Sequence, residues 1–579
     1  MNILLNKRGL GILLAVLVLS YFAWQPLVHQ GYFVMHDDQQ VARLAQLDKS
    51  LSAGQFPVRW VPDLGFGLGY PLFNFYPPLV YYLGEAVHLF LGTGFLDSTK
   101  IVWFLALAGS VVSMYLLAKE LFGRIGGGVA ALFYLYAPYH AVDAYVRGAL
   151  AELFSFVWLP LILLTSYKLI KEGKWQWAVL TGIFFALLMI THNLVFLPFF
   201  GVFSLWYVLI YLIYGKGNIK LFAFSYLLLT FITFSLTAFF WLPALTEKQD
   251  TLVDQLLIKN LASYRIHFVC PEQLWNSLWG YGGSGPGCLD GMSFKIGKLH
   301  LILAFLSLPA AIWLWLRKRK KAAGLLFSLF LLLIFSAWMT TAYSGFIWDN
   351  LPPLWYLQFP WRFLEFTALF ASLLAGSLFL LLNKFYLKIL TAIVVLAGLL
   401  FYNAKLFVPQ KYLTAATDNS LLTDQQVKWH VSNSSFEYLP FGIATKISPL
   451  GTVLVDINEN EVVSPSWNEK FRILSGDFTP SSSQFAPDRF LLSGNSAYGA
   501  QLQFHLADFP GWKVWIDNKP AAINDANQYK LISVMVPPGN HGIAGKFTNT
   551  PVRTAGNTLS LISLGGLAVL IYGIRRNKK

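Results

Sequence analysis

Long apolar runs separated by short polar turns fill the first 402 residues. Crossing a hydrocarbon core takes roughly 20 helical residues. Runs near 9–28, 101–118, 126–136, 154–166, 177–190, 196–213, 221–242, 299–316, 325–339, 363–382 and 389–402 approach or reach that length. With a last run at 559–574, the pattern predicts a polytopic α-helical membrane protein of about 12–13 transmembrane helices. The stretch 79–91 is apolar but carries Glu85 and His88 and follows Pro77-Pro78. A full crossing there would move the next basic loops to the wrong side, so it reads as re-entrant or interfacial.

Beyond Asn403 the period changes. Stretches such as 452–456 and 501–505 alternate apolar and polar residues, the period of half-buried strands. Trp512–Ile516, then Asp517-Asn518, then Lys519 onward reads as a hairpin with an Asp-Asn turn. Val536-Pro537-Pro538-Gly539 marks another turn. The expected organisation is therefore a membrane domain over 1–402 with long outer loops at 29–98, 243–298 and 342–362. A β-sandwich-like, extracytoplasmic domain follows over 403–556, and 557–579 form a final transmembrane helix with a basic tail.

Composition agrees with the pattern. Of the 579 residues 56% are hydrophobic and only 12% charged, and the mean hydropathy is +0.54. The net charge of +14 would point to nucleic acid in a soluble protein. Here much of it sits in short turns between spans, notably Arg317-Lys318-Arg319-Lys320-Lys321 and the terminal Arg575-Arg576-Asn577-Lys578-Lys579, and it orients the chain. No nucleic-acid partner is implied. Lys7 and Arg8 precede the first run, and no small-residue cleavage site follows it, which reads as an uncleaved anchor. Both termini are then cytoplasmic in a cell membrane, and the polar loops and β-rich domain face outward.

That orientation collects the chemistry on one face. Asp37 and Asp38 follow the first span; such a pair persists at a membrane edge either as a solvated turn or because a cation, a substrate group or an Arg answers it. Asp143, Arg147 and Glu152 share the second outer loop. Asp143 and Glu152 could complete with Asp37 and Asp38 an acidic cluster that offers oxygen ligands to Mg²⁺ or Mn²⁺, or Glu152 pairs with Arg147. Arg362 and Arg59 lie in aromatic settings, where an Arg either clamps phosphate or snorkels to the headgroups. His192 in Thr-His-Asn reads as an interface-anchoring or helix-capping group rather than a catalyst. Cys270 and Cys288, the two cysteines, share an outer loop with Trp275, Trp279 and Tyr281. An oxidising compartment lets the two bridge. The Trp-rich stretch is a sugar-stacking platform or part of the interfacial aromatic belt.

His36-Asp37-Asp38 after a first span, the Tyr76-Pro77-Pro78-Leu79 entry, and Lys119-Glu120-Leu121-Phe122-Gly123-Arg124 before a Gly/Ala-rich helix resemble the GT-C integral-membrane glycosyltransferases. Gly54-Gln55-Phe56-Pro57-Val58-Arg59-Trp60, Gln358-Phe359-Pro360-Trp361-Arg362-Phe363 and Phe509-Pro510-Gly511-Trp512-Lys513-Val514-Trp515 resemble the bacterial YfhO-type and 6-pyruvoyl-tetrahydropterin-synthase-related membrane proteins. Asp143-x-x-x-Arg147 departs from the acidic pair that oligosaccharyltransferases carry in the second loop. The resemblance implies sugar transfer from a polyprenyl-phosphate donor to a cell-envelope lipid, glycan or protein acceptor on the outer face, among membrane lipids. It makes Asp37, Asp38 and Glu152 the catalytic candidates and Arg362, Arg147 and Arg59 the donor-phosphate ligands. Any metal would fall to Asp38 and Asp143. The alternatives are a lipid-linked glycan transporter and a non-catalytic envelope assembly or scaffold protein.

Overall fold

The computed structural model describes residues 7–256, 262–448 and 453–576. Thr452 and the end of the basic tail, 577–579, lie outside them. Among the described residues eight helices are long and apolar enough to cross a membrane, or nine if the bent pair Gly9–Leu19 and Tyr21–Val28 is one span. This is a multi-pass architecture with fewer full-length spans than the 12–13 expected. Part of the difference lies in Phe95–Leu135, one 41-residue helical element holding two expected spans, which break at Gly123 (φ +83°). Gln176–Thr191 is apolar but only 16 residues long. Leu79–Leu91 is a 13-residue apolar helix, ended by Gly92 in the left-handed region.

The chain divides into two compact units. The first comprises 1–38, 99–234 and 263–415. It carries the candidate spans apart from short ends, including Leu150–Glu172, Asn193–Tyr214, Lys320–Met339 and Pro360–Leu380. The last of these is 89% buried along its apolar window, so its few polar side chains must find partners inside the protein.

The second unit comprises 39–98, 235–262 and 416–579. Its centre is a pair of antiparallel sheets. One runs Lys519–Ala521, Trp512–Ile516, Gly539–Phe547, Arg489–Ser496, Thr479–Ala486; the other runs Leu531–Val536, Ala500–Ala507, Phe471–Gly476. Arg489–Ser496 buries every second residue, and its Phe490 and Leu492 join Phe504, Ile532 and Val534 of the other sheet in one core. Phe490 packs over the Gly539–Phe547 strand where a Cβ on Gly545 would run into its ring. Asp517 and Asn518 both have positive φ (49° and 62°), as a two-residue hairpin turn requires. Trp60 and Phe75, far upstream in sequence, complete this core.

Candidate functional site

The site lies in the first unit and begins with a widened helical turn. Pro138–Val142 runs into Asp143–Arg147, where Gly148 N–H donates to Asp143 O, a five-residue step that makes the turn π-helical. Gly148 ends it at φ +70°, and a Cβ there would strike the Met35 side chain. That missing side chain lets the 35–37 segment run alongside. His36 N–H donates to Val146 O at 3.1 Å and Asp37 N–H to Arg147 O at 2.8 Å. Asp37 is thereby fixed, half-buried, beside the turn, and its charge bears on both Asp143 and Arg147.

The turn aims its side chains at Glu152, which is fully buried in the first turn of Leu150–Glu172. Arg147 Nη1 donates to Asp143 Oδ1 at 2.5 Å and lies 2.9 Å from Glu152 Oε2. Arg362 Nε lies 3.3 Å from the same oxygen, and His192 Nε2 lies 3.9 Å from it. Neither arginine makes a hydrogen bond of good angle to that oxygen, so charge more than direction holds the pair to it. The Tyr139 hydroxyl donates to Glu152 Oε1 at 2.5 Å and accepts from Arg147 at 3.3 Å. The Arg147 guanidinium lies 4.6 Å from the Trp361 ring centre. Arg362 also donates to Leu357 O at 2.7 Å.

Burial, together with the adjoining Glu152 carboxylate, pushes Asp143 well above the ordinary carboxylate range against the pull of Arg147. Of the two roles expected of His192 it takes the cap: its Nδ1 accepts from Val195 N–H at 3.0 Å, at the start of Asn193–Tyr214. Burial drives its imidazole down to about 3, so it is neutral beside the two arginines.

Of the residues singled out from sequence, Asp37, Asp143, Arg147, Glu152 and Arg362 come together. Asp38 is exposed one residue beyond Asp37. Arg59 belongs to the other unit, where its guanidinium donates to Asn74 Oδ1, Phe239 O and Asn557 Oδ1. Burial and the nearby Arg553 lower it to about 10. Its two Nη groups hold 39–98, 235–262 and the C-terminal helix Pro551–Arg576 together. Cys270 and Cys288 are disulfide-bonded. The loop they close reaches the site: Tyr281 O pairs with His36 Nε2 at 2.9 Å, and Ser284 Oγ accepts from Trp361 Nε1 at 3.2 Å. Trp279 and Trp275 are each faced by a lysine, Lys295 and Lys298.

The donor set does not fit a divalent metal held by Asp38 and Asp143. Asp143 Oδ2 is buried without a hydrogen-bond partner, but its Oδ1 and Glu152 are already met by two cations that would repel a third. Among the described residues the one group of three possible ligands is Cys270, Glu272 and Cys288, and its cysteines are bonded to each other.

Sequence reading missed Glu365 and Tyr139. Glu365 is fully buried in the span Pro360–Leu380 and meets Ser155 Oγ at 2.6 Å. An acid inside an apolar run was a usable signal; nothing marked Tyr139.

No protein-family model and no curated protein matches the chain. Among solved structures it is similar to the apo form of the oligosaccharyltransferase of Archaeoglobus fulgidus, at 12% identity and a TM-score of 0.38 over 69% of this chain and 55% of that one. It is also similar to the arabinofuranosyltransferase AftD from Mycobacteria, at 15% identity and a TM-score of 0.40 over 71% of this chain and 28% of that one. The same archaeal enzyme in complex with Zn and sulfate matches at 13% identity and a TM-score of 0.37, over 68% of this chain and 52% of that one. The matched region thus spans about half, or less, of these proteins.

Proposed function

We propose that the chain is a membrane glycosyltransferase of GT-C type. It moves a sugar from a polyprenyl-phosphate-linked donor to a cell-envelope lipid, glycan or protein acceptor on the outer face of a cell membrane. The observation that carries this reading is the convergence of Arg147 and Arg362 on one buried oxygen of Glu152, at the first turns of two membrane helices. Two guanidiniums at headgroup depth suit a lipid phosphate better than any neutral ligand.

In this reading the acceptor hydroxyl or amide gives its proton to the Asp37 carboxylate as its oxygen or nitrogen bonds to the sugar's anomeric carbon. The bond from that carbon to the donor phosphate breaks, and its electron pair leaves on the phosphate oxygen. Arg147 and Arg362 stabilise that charge. Glu152 and Tyr139 hold the two arginines in place before the donor arrives, and neutral His192 adds no competing charge. Asp38, exposed beside Asp37, supports the acceptor side. No step needs Mg²⁺ or Mn²⁺.

A transporter of lipid-linked glycans draws support from Glu152, Arg362 and Glu365, which put charge or acid within spans. Glu152 and Arg362 sit in the opening turns rather than along a path, which favours headgroup chemistry. The deciding experiment is transfer of sugar from a synthetic polyprenyl-phosphate donor by the purified protein in nanodiscs, with R147A and R362A as controls. Donor binding without turnover under any acceptor would leave the transporter reading instead.

A further inference from the structure

A hydrogen count bears on the state of Glu365, which takes no part in the proposed transfer. Ser155 Oγ lies 2.5 Å from Glu152 O and 2.6 Å from Glu365 Oε1. A serine hydroxyl has one hydrogen and two lone pairs. One hydroxyl hydrogen points fully at only one of two acceptors, so both contacts are hydrogen-bonded only if the other partner brings a hydrogen of its own. Glu152 O is a backbone carbonyl and has none to give.

We infer that Glu365 is a neutral carboxylic acid that donates its proton to Ser155 Oγ, which in turn donates to Glu152 O, and that this chain positions Glu152 against Arg362. The surroundings agree. Glu365 is fully buried and forms no ion pair among the described residues. Its Oε2 is buried without a hydrogen-bond partner; as half of a carboxylate that oxygen would be a buried charge without compensation, whereas as the carbonyl of an acid it costs far less. The ionisable groups whose charges reach it are Glu152, Asp143, Arg147 and Tyr134. The Glu152 carboxylate opposes a further negative charge beside it.

The placement explains the use. Glu365 lies one turn beyond Arg362, in the first turn of Leu364–Ser377. Ser155 lies one turn beyond Glu152 in Leu150–Glu172. The relay therefore locks the two helix starts whose side chains meet at Glu152 Oε2. Being neutral, it does so without cancelling the positive charge of Arg147 and Arg362. Glu365 is then a positioning residue, and this use rests on the phosphate-site reading of those arginines, whereas the proton assignment does not.

Two measurements on the full-length protein in nanodiscs test the two parts separately. Infrared difference spectra of wild type against E365Q at pH 7 are expected to show a protonated-carboxyl stretching band that shifts in D₂O and vanishes in E365Q. No such band would overturn the assignment. Binding of a short-chain polyprenyl phosphate is expected to persist in E365Q, whose amide donates the same hydrogen, and to weaken about tenfold in E365A, which cannot. Equal binding by E365A and wild type, or an equal loss in E365Q and E365A, would overturn the positioning role. A wild-type protein that binds no polyprenyl phosphate while showing the band would sink the phosphate-site reading and the positioning role and leave the proton assignment standing.

Discussion

Arg362 Nε and Arg147 Nη1 approach the same oxygen of Glu152, at 3.3 Å and 2.9 Å. A carboxylate held between two buried guanidiniums is costly to leave with fewer. R147A strips the near cation from both Asp143 and Glu152, and breaking a buried ion pair costs roughly 3–5 kcal/mol. The protein should therefore lose thermal stability as well as donor binding, whereas R362K should keep stability and lose mainly donor affinity, since an ammonium lacks the planar fork. Melting temperatures read beside donor titrations separate the two; an R147A protein as stable as wild type would mean the ion pairs do not hold the site.

Asp37 is pinned to the Arg147 backbone and half-buried, while Asp38 is exposed. As general base, Asp37 replaced by Asn should cost turnover about 10²–10⁴-fold with little change in expression. D38N should cost much less. Initial rates with a fixed lipid-linked donor decide it, and near-normal turnover in D37N would remove Asp37 from catalysis.

His192 is neutral when folded, with its titration moved from 6.5 to about 3 by burial. Between those values the unfolded chain binds a proton that the folded chain refuses. The stabilisation is thus complete above pH 6.5 and is lost as pH falls toward 3. Asn at 192 caps the helix equally well but does not titrate. The melting temperature of H192N should fall less than that of wild type between pH 7 and 5; parallel curves would refute the assignment.

The Cys270–Cys288 bridge closes a loop tied to His36 and Trp361. By the chain-entropy estimate a loop of this size stabilises by about 3 kcal/mol. The C270S/C288S double variant should melt earlier and turn over more slowly, and free thiol should appear in wild type only after reduction of the denatured chain. Two titratable thiols without reductant would end the argument.

Orientation is testable with single cysteines in a C270S/C288S background. One at Arg319 should be shielded from an impermeant thiol reagent in intact cells, and one at Asn518 should label. Labelling at 319 would reverse the orientation and move the proposed chemistry to the other face.

Local pattern alone determined the apolar helices, the change of period beyond Asn403 and the Asp517-Asn518 hairpin. Each depends on neighbours in sequence: a 20-residue apolar run, an alternation, a pair of residues tolerant of positive φ. The Arg147–Glu152 pairing was legible for the same reason, the two being five residues apart. The meeting of Glu152 with Arg362, the burial of Trp60 in a β-core more than 400 residues away and the retirement of Arg59 to a buried clamp were decided by tertiary structure. Spacing carries no information about which helix start faces which. Nor could it show that Glu365 keeps a proton. That follows only when Ser155 stands between a carbonyl and a carboxyl at hydrogen-bond distance from both, because one hydroxyl hydrogen cannot satisfy two acceptors.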